Sequence, residues 1–154
     1  MKVFVKRENW DGGIWIKLPA SEEQAEHVLE ELAGYHPSRM IPFIGDVKAP
    51  VAGLARLLIG EFVFQDSNLG QLNYLAAKIG SWSEQERAVF ETVLQNEKPD
   101  SLLRIVEAMD HLDQYECHPE IKSLEQYGHY LFEREGRTLP VELTAICIMR
   151  HMAV

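Results

Sequence analysis

The stretch KVFVKRENWDGGIWIKLPASEEQAEHVLEELAG, residues 2–34, decides the fold class. Residues 2–7 and 13–18 are short runs rich in valine, isoleucine and aromatic side chains, which suit a pleated surface. Between them ENWDGG holds Asp11-Gly12, a dipeptide typical of hairpin turns. Pro19 ends the second run because it brings no N–H to a strand ladder. Ser21-Glu22-Glu23-Gln24 then reads as a capping box, in which the serine hydroxyl and the glutamine side chain each satisfy a free backbone N–H. Behind it Ala25, Val28, Leu29 and Leu32 share one helical side, while Glu22, Glu23, Glu26, Glu30 and Glu31 lie mostly on the other. Gly34 closes this helix, and a third strand is expected over residues 41–47. The fold class is therefore α+β, starting with a small three-stranded antiparallel sheet and one helix.

Further along, the pattern turns helical. Residues 51–64 are apolar and have room for one helix, with Gly53 and Gly60 working against a long one. Residues 68–79 place Leu69, Leu72, Leu75, Ala76 and Ile79 at helical spacing, and Gly80 is expected to stop them. Ser83-Glu84-Gln85-Glu86 is a second capping box, opening a helix with Ala88, Val89, Phe90, Val93 and Leu94. Pro99-Asp100-Ser101 starts the next, carrying Leu102, Ile105, Val106, Met109 and Leu112. Ser123-Leu124-Glu125-Gln126 is a third box, with a helix to about Phe132 and Gly136 after it. Residues 143–154, LTAICIMRHMAV with its apolar stretch, show no clear period. These divisions give a small α+β module over residues 1–60, an acidic short-helix bundle over 61–115, and a small mixed C-terminal module over 116–154.

Composition narrows the function classes. With 46% apolar residues in a chain of 154, a packed core is expected. The net charge of −9 argues against direct nucleic-acid binding and against an anionic membrane surface, both of which need clustered lysine and arginine. The excess is local: residues 1–60 hold 8 acids and 7 bases, residues 61–154 hold 16 acids and 8 bases. Two cysteines, Cys117 and Cys147, do not make a disulfide framework. Neither a signal-peptide pattern nor a run of ~20 apolar residues is visible, so a cytoplasmic protein is expected.

Motifs for catalysis are missing from the sequence: no Gly-rich phosphate loop, no G-x-S-x-G and no H-E-x-x-H. His111, Cys117 and His118 fall within eight residues, and zinc accepts such ligands. Yet Cys117 and His118 are adjacent, Pro119 restricts the backbone, and no second pair has zinc-finger spacing. A non-catalytic protein with no metal and no cofactor is the expectation.

The chemically distinctive segment is residues 84–125, with eleven acids against four bases. Between residues 105 and 121 there are five acids and no lysine or arginine. Glu107, Asp110, Asp113 and Glu116 recur at every third position. On a helix that spacing gives one negative charge per ~4.5 Å of axis, against one per ~3.4 Å along a strand of B-DNA. Asp113 falls toward the apolar side of the wheel, so either the helix ends near Leu112 or Asp113 serves a turn. Glu107 and Asp110 are the better surface candidates.

These residues sit within a resemblance. NLGQLNYLAAKI at 68–79 resembles the "LNxLA" helix of ArdA-type antirestriction proteins, and SEQERAVFETVL at 83–94 is similar to that family's "sEqEleaFeavL". SLLRIVEAMDHLDQY at 101–115 resembles "sledlinltenLdxY", and EQYGHY at 125–130 resembles "eeLGxyl". Earlier, WIKLP at 15–19 with its Ser21-capped helix resembles "WidLPa-sxeel", and FIGD at 43–46 resembles "FiTD". The blocks keep family order across roughly residues 13–143. The resemblance implies a protein of mobile elements such as conjugative transposons. It also implies an elongated homodimer that mimics bent DNA and inhibits type I restriction-modification enzymes at their DNA-binding core. Leu72, Asn73 and Leu75 would be packing residues, Glu84, Glu86, Glu91, Glu107, Asp110, Glu116 and Glu120 would make up the phosphate-like surface, and Leu112, Asp113 and Tyr115 would form the turn after the acidic helix. The alternative is an acidic interaction module that keeps the fold and binds another basic DNA-handling protein.

Overall fold

A computed structural model describes residues 1–35, 41–65, 67–115, 118 and 121–136. The chain divides into two compact units, Met1–Tyr115 and Glu116–Val154.

In the first unit, strands β1 (Lys2–Lys6), β2 (Gly13–Lys17) and β3 (Phe43–Lys48) form an antiparallel sheet in the order β2-β1-β3. The α+β class expected from the sequence is the class observed. Val3 and Val5 are completely buried while Lys2, Phe4 and Lys6 face outward, the alternation of a half-buried strand. The β1–β2 pairing closes at Lys6 and Gly13, so six residues connect the strands. The turn is made at Asn9, with φ of 61°, rather than at Asp11-Gly12. Gly12 and Gly13 serve a different need: a Cβ on Gly12 would sit 2.4 Å from the Trp10 ring, and one on Gly13 would sit 2.5 Å from the Val5 carbonyl. Close approach, not backbone freedom, requires both glycines.

Helix α1 (Glu22–Tyr35) opens on the expected capping box. Gln24 N–H donates to Ser21 Oγ at 3.2 Å, and Ser21 N–H donates to Gln24 Oε1 at 2.9 Å. Gly34 lies within its last turn instead of ending it. The apolar run after residue 50 yields only α2 (Leu54–Leu58), bounded by Gly53 and Gly60 at φ of 82° and 94°. The chain then returns to β3: Gly60 N–H donates to the Ile44 carbonyl at 2.8 Å, Ile44 N–H to the Glu61 carbonyl at 2.9 Å, and Phe62 bridges Phe43.

Helices α3 (Asn68–Ser81), α4 (Glu84–Glu97) and α5 (Leu102–Asp110) follow, then a 3₁₀ turn at Leu112–Gln114. Gly80 is inside α3, which stops when Trp82 turns extended. One apolar cluster runs from Val3 and Val5 through Leu32, Ile44 and Leu58 to Leu72, Phe90 and Ile105, so sheet and helices share a core. Phe90 is fully buried with Trp82 edge-on at 5.2 Å between centroids; burying such a ring contributes about 1.5–3 kcal/mol.

The second unit contains α6 (Leu124–Arg134). Its expected capping box is only half formed. Gln126 N–H donates to Ser123 Oγ at 3.1 Å, but Gln126 Oε1 accepts from Lys122 N–H at 2.6 Å, one residue earlier than the box requires. The His118 and Tyr130 rings lie 4.2 Å apart. The apolar residues 143–154 lie outside the described residues. Among the described residues, no helix is long and apolar enough to cross a membrane.

Candidate partner-binding surface

The acidic surface is set by how α3, α4 and α5 bury their apolar faces. Phe90, Val93 and Leu94 turn α4 toward the core, and Leu102, Ile105 and Met109 turn α5. Ser83 caps α4 by accepting from Glu86 N–H at 3.3 Å, and Glu86 Oε2 accepts from Ser83 N–H at 2.6 Å. The bond from the Ser83 backbone foremost, and then the Ser83 side chain, hold the Glu86 carboxyl below its usual pKa of 4.5 against a smaller opposing effect of desolvation. Glu84 and Glu86 also meet the positive end of the helix, which favours carboxylates in the first turn. Ser101 caps α5 in the same manner, accepting from Arg104 N–H at 3.3 Å.

Five of the seven expected surface carboxylates are described, and they fall into two groups. Glu84 and Glu91 make no hydrogen bond or ion pair among the described residues; Glu84 is exposed and Glu91 half-buried. The other three are engaged. Glu86 belongs to the cap. Glu107 pairs with Arg104 at 3.0 Å, both side chains well exposed, so the pair adds little stability. Asp110 accepts from the Tyr74 hydroxyl of α3 at 2.7 Å. Glu116 and Glu120 lie outside the described residues, as does Cys117 of the weighed His111, Cys117 and His118 cluster.

The every-third-residue spacing does not run along one helix. Helix α5 ends at Asp110, and His111 follows as its cap, with N–H donating to the Glu107 carbonyl at 3.2 Å. The His111 ring also reaches that carbonyl, with Nδ1 at 2.7 Å; a carbonyl only accepts, so Nδ1 carries the proton. Asp113 stands exposed in the 3₁₀ turn. Among the described residues Glu107 and Asp110 alone keep the helical spacing, and Asp113 sits in the turn, one of the two options the sequence offered.

Two tyrosines organise this surface: Tyr115, expected only as part of the turn after the acidic helix, and Tyr74, for which the sequence suggested no role. Tyr115 donates to Glu97 Oε1 at 2.9 Å, tying the turn after α5 to the end of α4. Tyr74 and Tyr115 both have phenol pKa values raised above 10.0, chiefly because each phenol proton is shared with a carboxylate. The available signal was that Tyr74 is the variable residue of LNYLA, on the exposed side of a helix whose other side buries Leu72, Leu75, Ala76 and Ile79. A cleft of about 550 Å³ opens between the end of α4 and α5, where Lys98, Arg104 and His111 stand among Glu97, Asp100 and Glu107. Its charge is mixed.

Among the described residues no group of three histidine, cysteine or carboxylate side chains is placed to hold a metal ion. No protein-family model, no curated protein and no solved structure matches this chain.

Proposed function

We propose that this chain is a non-catalytic DNA mimic that occupies the DNA-binding core of a type I restriction-modification enzyme, acting in the cytoplasm and carried by a mobile element. The observation that carries this reading is the set of outward-facing carboxylates on two adjacent helices: Glu84 and Glu91 on α4, Glu107 and Asp110 on α5. The ordered resemblance to ArdA-type antirestriction proteins supplies the partner. A homodimer carries twice the chain's net charge of −9, less than the ~40 charges of ~20 base pairs. Inhibition by so sparse a mimic is strongly salt-dependent. The test is displacement of a labelled recognition duplex from a type I methyltransferase core by the purified protein, at low and at raised salt.

A second reading has its own support. Lys98, Arg104 and His111 interrupt the acids of the α4–α5 cleft, a pattern that a phosphate backbone does not present. An interaction module for a different DNA-handling protein accommodates those basic side chains. Affinity capture that returns such a protein and no restriction subunit favours this second reading.

A further inference from the structure

The sheet face turned away from the core carries four lysines and three aromatic rings, with a fourth ring at its edge. They stand in three cross-strand rows. The strand pairings align Lys17, Lys2 and Lys48 in one row, and Trp15, Phe4 and Asp46 in the next. The third row runs Gly13, Lys6 and Phe43, extended by Phe62 through its bridge to Phe43. The alternate residues Val3, Val5, Ile16, Ile44 and Val47 are buried on the opposite face.

This face is a basic exception in an acidic chain. Lys2, Lys17 and Lys48 are exposed, and Trp15 and Phe62 are 39% and 40% exposed. Asp46 is the one acid in the three strands, and its Oδ1 already accepts from Val47 N–H at 2.7 Å. No carboxylate pairs with Lys2, Lys17 or Lys48 among the described residues. Like charges placed directly across strands at ~4.8 Å spacing oppose the sheet. Here they stand in a row of three, and the one acid of this face, Asp46 in the next row, forms no ion pair with them. Lys48 Nζ instead lies 4.6 Å from the Trp15 ring centre, and the Trp15 and Phe4 rings lean together at 5.2 Å.

We propose that this face binds single-stranded DNA, with bases stacked on Trp15 and Phe4 and phosphates held by Lys2, Lys17 and Lys48. An unpaired base offers a planar π-face to an exposed ring and its phosphate offers charge to the lysines, the combination used by single-strand binding platforms. Duplex DNA supplies the phosphates but keeps its bases stacked inside. The acidic helices of a second copy would use the lysines and leave the rings without a role. No serine, threonine, asparagine or glutamine points from this face, so no neutral polar group reads base edges or a 2′-hydroxyl. Binding is therefore sequence-tolerant and gains nothing from ribose. The chain's overall charge does not prevent it, because at ~0.1 M salt charges more than ~10 Å away are largely screened.

The test is fluorescence anisotropy of the full chain with a labelled oligothymidylate 15-mer. Its comparison ligands are an abasic strand of equal charge, a duplex, an oligouridylate and polyglutamate. The proposal expects the thymidylate strand to bind at least about fivefold tighter than the abasic strand, with Trp15→Ala lowering affinity by a similar factor. Lys2→Gln with Lys17→Gln, both at exposed positions, keeps the test open should Trp15→Ala fail to fold. That pair is expected to reduce the salt slope by about 0.7 per lysine removed. Equal binding of the abasic strand overturns the proposal. So does competition by polyglutamate as effective as by DNA, which would assign the face to an acidic protein, or binding of the RNA strand alone. None of these outcomes depends on the α4–α5 carboxylates, so failure here leaves the restriction-enzyme reading standing.

Discussion

Tyr74 of α3 donates its phenolic proton to Asp110 at the last position of α5, across 2.7 Å. The bond fixes one candidate phosphate-like carboxylate against the helix that also supplies the core residues Leu72, Leu75 and Ile79. A mimic whose charges are held in place loses less freedom on binding than one whose side chains must be ordered. Tyr115 and Glu97 repeat the arrangement one helix away.

The Tyr74 phenol therefore titrates above 10.0, and Asp110→Asn returns it toward that value. Phenolate absorbance, with Tyr74→Phe to identify the signal, checks this. The folded pKa is raised, so the bond's contribution to stability is whole below the unfolded tyrosine pKa near 10.0. It is lost as pH climbs through the folded value. Stability near neutrality should not vary with pH on this account.

Asn73 braces the loop after β2. Its Nδ2 donates to the Ala20 carbonyl and its Oδ1 accepts from Ala20 N–H, both at 2.8 Å. Ala20 is buried, so Asn73→Ala strands two backbone groups and is expected to cost about 1–3 kcal/mol in urea unfolding. Asn73→Asp keeps the acceptor, loses the donor and should fall between the two. A loss below about 0.5 kcal/mol for Asn73→Ala would mean that water replaces the brace.

Ser83→Ala removes the α4 cap and is expected to cost about 1 kcal/mol. The Glu86 half of the box depends on pH. Its folded pKa is lowered below 4.5, so its contribution is present above 4.5 and lost as pH falls through the folded value. Glu86→Gln should flatten the acid limb of a thermal-melt series in that window.

Charge reversal separates the acidic surface from ordinary solvated helix. Glu84→Lys with Glu91→Lys removes carboxylates that have no partner among the described residues. This pair should weaken inhibition of a type I enzyme more than Glu22→Lys with Glu23→Lys on α1. Glu107→Lys with Asp110→Lys should weaken it too, with a cost to stability because Asp110 leaves Tyr74 unmatched. Equal effects from all three pairs in a restriction assay would point away from α4 and α5.

Local signals were easiest to read in the sequence. The Ser21 and Ser83 boxes form as spaced, because each bond lies within three residues of its partner. The strands followed from their valine, isoleucine and aromatic content, and the buried positions of α3, α4 and α5 lie among the apolar residues picked out in the sequence, although Ala88 of α4 is exposed. Tertiary approach was not legible. Asp11-Gly12 looked like a turn, yet Gly12 answers to the Trp10 ring and its neighbour Gly13 to the Val5 carbonyl across the hairpin. Gln126 carried the third box on paper and bonded to Lys122 instead. The break in the acidic run at Asp113 showed on the helical wheel, but spacing alone did not show that α5 stops as early as Asp110. Nor did net charge reveal Lys17, Lys2 and Lys48 side by side, since it is the strand register that aligns them.

The central claim is best tested by displacement of a labelled recognition duplex from a type I methyltransferase core. Increasing amounts of the full chain should release the duplex at low salt. Release should weaken as salt rises, and the Glu84→Lys, Glu91→Lys protein should release less. A duplex that stays bound to several such enzymes at low salt, under excess of the folded protein, would contradict the account.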